Sequence, residues 1–432
     1  MTPLIIAQPS LAGPAWTSDV VIVGGGAAGL AAGIFAARAA ARRILIVDGA
    51  RTLGAKILVS GGSRCNVTNT HVEASDFWRS GSPFVKQVLR AFAVPETVAF
   101  FEDIGVPLKE EPLGKLFPVS NKSRTVLDAL LAEARRLKVD IQTSCRVTGL
   151  KQDETGWILE TSAGSIAAPR VILAAGGLSL PKTGSDGFGY ELARAHGHTI
   201  VTPVPALEPM ILGGEFHGPL SGIAHDAAIR ISRPGEKPVD IRGSVLWTHF
   251  GISGPLALNA SRFMRRAKAD GVVVAMRLSF VPGRTAEEVD RHFIAAIRDR
   301  AQNNTSTEIA RAFGLTHAVA LRLVETTLGR DEALRRLTRD QRRALVAALT
   351  AFPLNVIDGR GYNFAEVTSG GVSLDEVNPK TMESRLRPGL YFVGEILDVD
   401  GRIGGFNFQW AWSTARVAAR SLPLAAAPGW PL

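Results

Sequence analysis

Gly24, Gly26 and Gly29 set a G-x-G-x-x-G pattern inside VGGGAAGLAAG. Glycines at that spacing allow a tight turn, a backbone that a pyrophosphate can approach, and a helix packed closely on a strand. The neighbours supply the context, because DVVIV before the pattern reads as a β-branched strand and AAGLAAGIFAARAA after it as a small-residue helix. The free N–H groups and dipole at the start of such a helix attract phosphate. RILIVD reads as the next strand, and Asp48 at its end offers a carboxylate to the hydroxyls of an adenosine ribose. An acid there repels the 2′-phosphate of NADP, which argues against that nucleotide at this turn.

The stretch after Asp48 separates FAD from NAD. A NAD dehydrogenase usually continues into another β-α unit, whereas KILVSGGSRCNVTN, from Lys56 to Asn69, reads as a long polar loop able to run beside a flavin and its pyrophosphate. Lys56 and Arg64 in it can balance phosphate charge or a reduced flavin anion. Near the other end, YFVGEILDVDGRIGGFNFQWAWSTARVAAR reads as a strand, an acid, a glycine-rich turn and a helix. Glu395 is placed for ribityl hydroxyls, and the backbone N–H groups from Gly404 and Gly405 to Asn407 for negative charge at the flavin N1/O2 edge. Two segments so far apart in sequence make one site only if the chain between them is an insertion.

In these segments, and in VILAAGGLSLPKTG, WTHFGISGPLAL and AEVTSGGVSLDEVNPKTMESRL, the chain resembles the BaiN/YhiN-like NAD(P)/FAD-dependent flavoproteins over nearly its whole length. The resemblance implies an α/β fold in which a Rossmann-type, glutathione-reductase-like FAD-binding domain carries an inserted β-barrel and a helical segment. It implies FAD contacts at Gly24, Gly26, Gly29, Asp48, Lys56, Gly62, Arg64, Cys65, Asn66, Val147, Gly176, Glu395, Gly404, Gly405 and Asn407. Ser63 departs from the pattern where a third glycine is common, and Phe406 and Phe408 stand for the more usual Tyr and Leu. The resemblance fixes the cofactor and leaves the substrate open.

The expected organisation is an FAD-binding domain of residues 1–190 and 354–432, a β-rich, barrel-like insertion over 191–283, and a helical part over 284–353. Thr199 to Ser279 is rich in Pro and Gly, with short apolar runs such as AAIRIS and GVVVAMRLSF. Thr285 to Phe352 has helical periodicity, with cap signals at Thr285 with Glu288 and Thr338 with Gln341, and Pro353 closes it. Leu422 to Leu432 reads as a frayed tail.

Composition narrows the function classes. Two cysteines, Cys65 and Cys145, make neither a disulfide framework nor a Cys-x-x-Cys pair, which excludes dithiol chemistry and suggests a reducing, cytoplasmic setting. Cys65 reads as a packing or flavin-facing thiol. Met1 to Trp16 has no basic n-region of a secretory signal, and the uncharged run Val20 to Ala37 reads as a buried strand and helix rather than a membrane span. The net charge of +9 permits a polyanionic partner. The densest basic cluster, Arg262, Arg265, Arg266 and Lys268, nevertheless reads as a solvated helix face, so nucleic acid is disfavoured and a small-molecule substrate preferred. The oligomeric state is left open.

The eight histidines show no metal-ligand spacing, and His196 and His198 read as surface residues of a helix-end turn. GISGP around Ser253 lacks the second glycine of a nucleophile elbow and reads as a structural turn. His249 in WTHFGISGP is the preferred acid or base, with Trp247 and Phe250 as apolar walls of a substrate pocket. No second G-x-G-x-x-G follows a strand, so no dedicated NAD(P)H domain is expected, and reduction would come from NAD(P)H docking as a transient electron donor or from the substrate itself. The favoured activity is NAD(P)H-linked, FAD-dependent reduction of a small unsaturated or carbonyl compound. An FAD-dependent oxidase of a small amine and a non-catalytic or RNA-associated FAD module are the competing readings.

Overall fold

The computed structural model describes residues 16–39, 43–78, 82–154 and 156–422. The expectations for Met1 to Trp16 and for the frayed tail fall almost wholly outside the described residues. The chain divides into two compact units, Met1–Pro203 with Glu366–Leu432, and Val204–Ala365.

In the first unit the buried strand Val20–Val23 is the middle of a five-stranded sheet. The order is Leu390–Phe392, Val171–Leu173, Val20–Val23, Ile44–Val47, Asp140–Gln142, with every pairing parallel. Uninterrupted apolar runs such as VVIV and ILIV are what parallel strands covered on both faces require. The strand Leu390–Phe392 enters this sheet from the far end of the chain. The helices Ala27–Arg38 and Phe406–Ser421 pack on each other beside it. The first can do so because its buried side is mostly Ala and Gly, which lets another backbone come close.

The second unit holds a seven-stranded antiparallel sheet. Its order is Phe352–Pro353, Ala275–Ser279, Ala224–Ser232, Val239–Thr248, Gly251–Ser253, Met210–Leu212, Val356–Gly359. One short stretch of chain borders both edges: the Leu354 N–H donates to Met276 O (2.9 Å), and the Gly213 N–H donates to Asn355 O (2.8 Å). Five α-helices, Gly254–Ala269, Ala286–Asp299, Thr305–Phe313, His317–Leu328 and Arg339–Ala351, accompany the sheet among the described residues. Reciprocal capping boxes form at Thr285 with Glu288 and at Thr338 with Gln341.

Several expectations are corrected. The unit boundaries fall at 203/204 and 365/366, not at 190/191 and 353/354. The helix Phe188–Ala195 runs through the first expected cut and buries Leu192 and Ala193 in the first unit's core. Val356–Gly359 pairs with Met210–Leu212 and so belongs to the second unit. The basic cluster is not a solvated face. It lies on the helix Gly254–Ala269, where Arg262 and Arg266 are buried. Arg265 pairs with the fully buried Glu208 and with Asp358 (2.6 Å). A carboxylate without solvent needs cations, and this helix supplies them. His198 is also buried, held between Glu376 (3.2 Å) and Ser384 (2.8 Å). Among the described residues no helix is long and apolar enough to cross a membrane, and no His, Cys, Asp and Glu cluster is suited to a metal.

Candidate flavin site

Backbone proximity dictates the glycine turn. Gly24 has φ +107°, and its N–H donates to Val47 O (2.8 Å). A Cβ on Gly24 would stand 2.5 Å from Ala174 O, and one on Gly29 only 1.8 Å from Gly24 O. Gly26, which caps the helix Ala27–Arg38, has no described atom within 4 Å of a Cβ position, so the backbone N–H groups there are open to a phosphate. Asp48 is fixed by two backbone donors, Gly25 N–H on Oδ2 and Ala50 N–H on Oδ1, both at 2.7 Å. Each oxygen keeps lone-pair capacity for a hydroxyl. The Cys145 N–H donates to Asp48 O (2.8 Å), which anchors the segment entering the buried Val147.

The stretch after Asp48 is not the long polar loop the sequence suggested. Ala55–Ser63 opens as a helix after Gly54, turns extended at Ser60, and runs left-handed through Gly61, Gly62 and Ser63. Cys65 is left-handed as well. Ser63, with φ +65°, thus holds a glycine-like conformation at the position where the resemblance expects glycine. A side chain there costs roughly 1–2 kcal/mol, a strain that concentrates at functional sites.

Lys56 Nζ lies 2.5 Å from both Ser179 Oγ and Glu395 Oε2, an ion pair that spans 339 residues of sequence. Glu395 Oε1 accepts the Ser179 hydroxyl (2.8 Å) and the Thr368 N–H (2.9 Å). Arg64 is paired too, with both Glu111 oxygens (2.7 and 3.0 Å), and lies 4.1 Å over the Phe117 ring. Neither expected cation is free of a carboxylate. Asn66 differs: its buried Oδ1 has no hydrogen-bond partner among the described residues. An unpaired buried acceptor costs about 1–3 kcal/mol, so the fold keeps it for a donor from elsewhere. Cys65 is fully buried, and burial pushes its thiol up to about 12, which makes it a packing residue and not a thiolate.

The two ends of the chain meet at Gly404 and Gly405. A Cβ on Gly405 would stand 2.4 Å from Thr68 O, and Asn69 Nδ2 donates to Gly404 O (3.1 Å). Gly405 caps the helix Phe406–Ser421, whose first N–H groups are available to an anionic edge. The Asn407 side chain is committed elsewhere: it accepts from Gly401 N (2.7 Å) and donates to Gly401 O (3.0 Å), leaving its backbone N–H. Gly176, with φ +73°, follows the strand Val171–Leu173 and faces Ser185. The opening at Gly26, the orphan oxygen of Asn66 and the helix start at Gly405 together fit a long flavin dinucleotide. Sequence reasoning missed Ser179, Thr368 and Asn69 as site residues. All three stand inside the glycine-rich segments, but a lone hydroxyl or amide carries no spacing signal.

His249 occupies a two-residue loop between Val239–Thr248 and Gly251–Ser253, where it is exposed and rests edge-on against Phe250 (5.1 Å). Trp247 is not a pocket wall. It is fully buried in the second unit's core and donates its indole N–H to His225 Nε2 (3.0 Å). Phe250 is half-buried beneath the Arg360 guanidinium (4.7 Å).

A parallel sheet with a glycine turn at a helix start, an acid ending the next strand and a second half-site from the far terminus define a Rossmann-type FAD-binding oxidoreductase. The HI0933-like protein Rossmann domain matches residues 18–421, and the chain belongs to that family. A 3-dehydro-bile acid delta(4,6)-reductase of Clostridium scindens is 34% identical over 401 residues, covering 93% of this chain and 98% of that protein. A ribosomal RNA dihydrouridine synthase of Escherichia coli is 32% identical over 411 residues, covering 94% of this chain and 98% of that protein. Its namesake in Haemophilus influenzae is 29% identical over the same shares of the two chains.

Proposed function

We propose that this flavoprotein adds hydrogen across a carbon–carbon double bond conjugated to a carbonyl, with NAD(P)H as electron donor. What carries the reading is a chemistry common to relatives whose substrates look unrelated. One is named for reducing delta(4,6) bonds of a 3-dehydro-bile acid, the others for making dihydrouridine. In both cases the bond saturated is polarised by a neighbouring carbonyl, so hydride adds to the far carbon and a proton to the near one.

FAD, when bound and reduced, supplies the hydride. The chain's own residues do the rest. Gly24 to Gly29 and Asp48 hold the adenosine and pyrophosphate end. Lys56, paired with Glu395 and Ser179, fixes the segment bearing Gly62 and Asn66, and the helix start at Gly405 places N–H dipoles where negative charge accumulates.

Anaerobic addition of NADPH or NADH to the yellow holoprotein is expected to bleach it, and a conjugated enone or uridine-containing RNA to restore the colour. Bleaching by neither nucleotide would remove NAD(P)H from the reading. A ribosomal RNA substrate is the second reading, favoured by the net charge of +9 and by two of the relatives. It predicts binding to RNA that weakens steeply with salt.

A further inference from the structure

We propose that Glu366 is the proton donor of this reduction, passing its carboxyl hydrogen to the carbon beside the substrate's carbonyl. The inference rests on the proposed double-bond reduction. Glu366 directly precedes Val367–Val372, a strand buried at every residue, yet its own side chain is exposed to solvent. Its carbonyl oxygen accepts the Ser179 hydroxyl (3.3 Å), and that hydroxyl also contacts Lys56 and Glu395. Two residues on, the Thr368 N–H holds Glu395, and the Thr368 hydroxyl holds the N–H groups of Leu178 and Ser179 (2.7 and 3.0 Å). Glu366 therefore stands at the edge of the cluster that joins the two halves of the flavin site.

The two carboxylates there are in opposite situations. Glu395 is saturated with donors from Lys56, Ser179 and Thr368. The Glu366 carboxyl has no hydrogen bond or ion pair among the described residues. Solvent reaches it, but the protein around it desolvates the charged form. That raises its pKa above the usual carboxylate range, and Lys56 and Lys115 oppose the rise. A carboxyl unencumbered, reachable and inclined to keep its proton is what a general acid requires.

The step balances. The substrate's far carbon takes the hydride that the reduced flavin supplies, and the double-bond electron pair moves toward the carbonyl as an enolate. The near carbon then takes the proton of Glu366 as its O–H bond breaks. The double bond is reduced, the flavin is oxidised, and the Glu366 carboxylate regains a proton from water.

Two measurements test the assignment. In the apoprotein labelled with 13C at glutamate carboxyls, one carboxyl should titrate above the usual range and be missing from Glu366→Gln. If every such carboxyl titrates within the usual range, the assignment falls. In the holoprotein, the flavin is photoreduced and mixed without oxygen with cyclohex-2-enone, a 3-oxo-Δ4,6-steroid or unmodified ribosomal RNA. Glu366→Gln should slow reoxidation by the responsive probe roughly 10²–10⁴-fold, with Glu366→Asp intermediate and with FAD content and reoxidation by oxygen unchanged. A wild-type protein that responds while Glu366→Gln responds equally overturns the role of Glu366 alone. A wild-type flavin that no probe reoxidises overturns the functional reading, and the proton donor with it.

Discussion

Two ion-pair clusters in this molecule use the same chemistry to opposite ends. In the second unit, Glu208 is fully buried, and Arg265 and the Gly361 N–H occupy its carboxylate. The space around it is filled: a Cβ on Gly359 would stand 2.2 Å from Glu208 Oε1. In the first unit, Lys56 and Glu395 pair as tightly but remain partly exposed, at 27% and 19%. Their surroundings are left incomplete, with no described atom near a Cβ position at Gly26 or Gly62 and an unpaired oxygen on Asn66. Charge does not mark the site. Unfilled space and unpaired polar atoms do.

That contrast is open to direct attack. Arg265→Met strands the buried Glu208 carboxylate and should cost about 3–5 kcal/mol, read by chemical denaturation, with FAD content unchanged in the protein that folds. Lys56→Met leaves Glu395 with two other donors and solvent, so a much smaller stability loss is expected together with weaker FAD retention. Equal stability losses would erase the distinction between the clusters.

The glycine turn gives the next largest effect. Gly29→Ala forces a methyl into the Gly24 carbonyl and should cost roughly 1–3 kcal/mol of stability. Gly26→Ala meets no protein atom. It should leave stability nearly unchanged while weakening FAD binding about tenfold or more, a loss of ~1.4 kcal/mol per tenfold. FAD titration of the two apoproteins separates packing from ligand approach.

A third cluster, in the first unit, checks the rule through pH. Glu133 is buried, and hydrogen bonds from Arg136 and then Arg38 hold its carboxyl down at about 2. A depressed carboxylate adds stability that is present above its unfolded pKa and is lost as pH falls through the folded one. The advantage of wild type over Glu133→Gln should be roughly 1–3 kcal/mol near neutrality and should shrink between pH of about 4.5 and about 2. A constant gap across that window would contradict the pairing. The smallest effect is expected at Arg64, whose partner Glu111 is partly exposed: Arg64→Ala should cost under about 1 kcal/mol of stability. Any larger loss of FAD affinity in that variant then reports contact with the ligand.

What the sequence revealed was whatever is local and backbone-driven. VVIV, the glycine turn and Asp48 form one continuous pattern, and the caps at Thr285 and Thr338 lie three residues from their partners. What it concealed depends on tertiary partners. The arginines of Gly254–Ala269 read as a wet face because Glu208 lies far away in sequence, and His198 reads as a surface residue because Glu376 and Ser384 do. Trp247 fits a wall or a core equally well until His225 and the second sheet surround it. Asn66 emerges from the sequence only through a family resemblance. Its orphaned oxygen is the physical reason, and no sequence pattern shows an absent hydrogen bond.

The central claim is that a reduced flavin held here saturates a double bond conjugated to a carbonyl. The photoreduced protein is mixed without oxygen with a 3-oxo-Δ4,6-steroid and, separately, with unmodified ribosomal RNA, and the products are analysed by mass and NMR. The account predicts that one of the two restores the yellow colour and yields a product with the double bond lost and the carbonyl intact. A flavin left reduced by both, or a product in which the carbonyl has become an alcohol and the double bond survives, would contradict it.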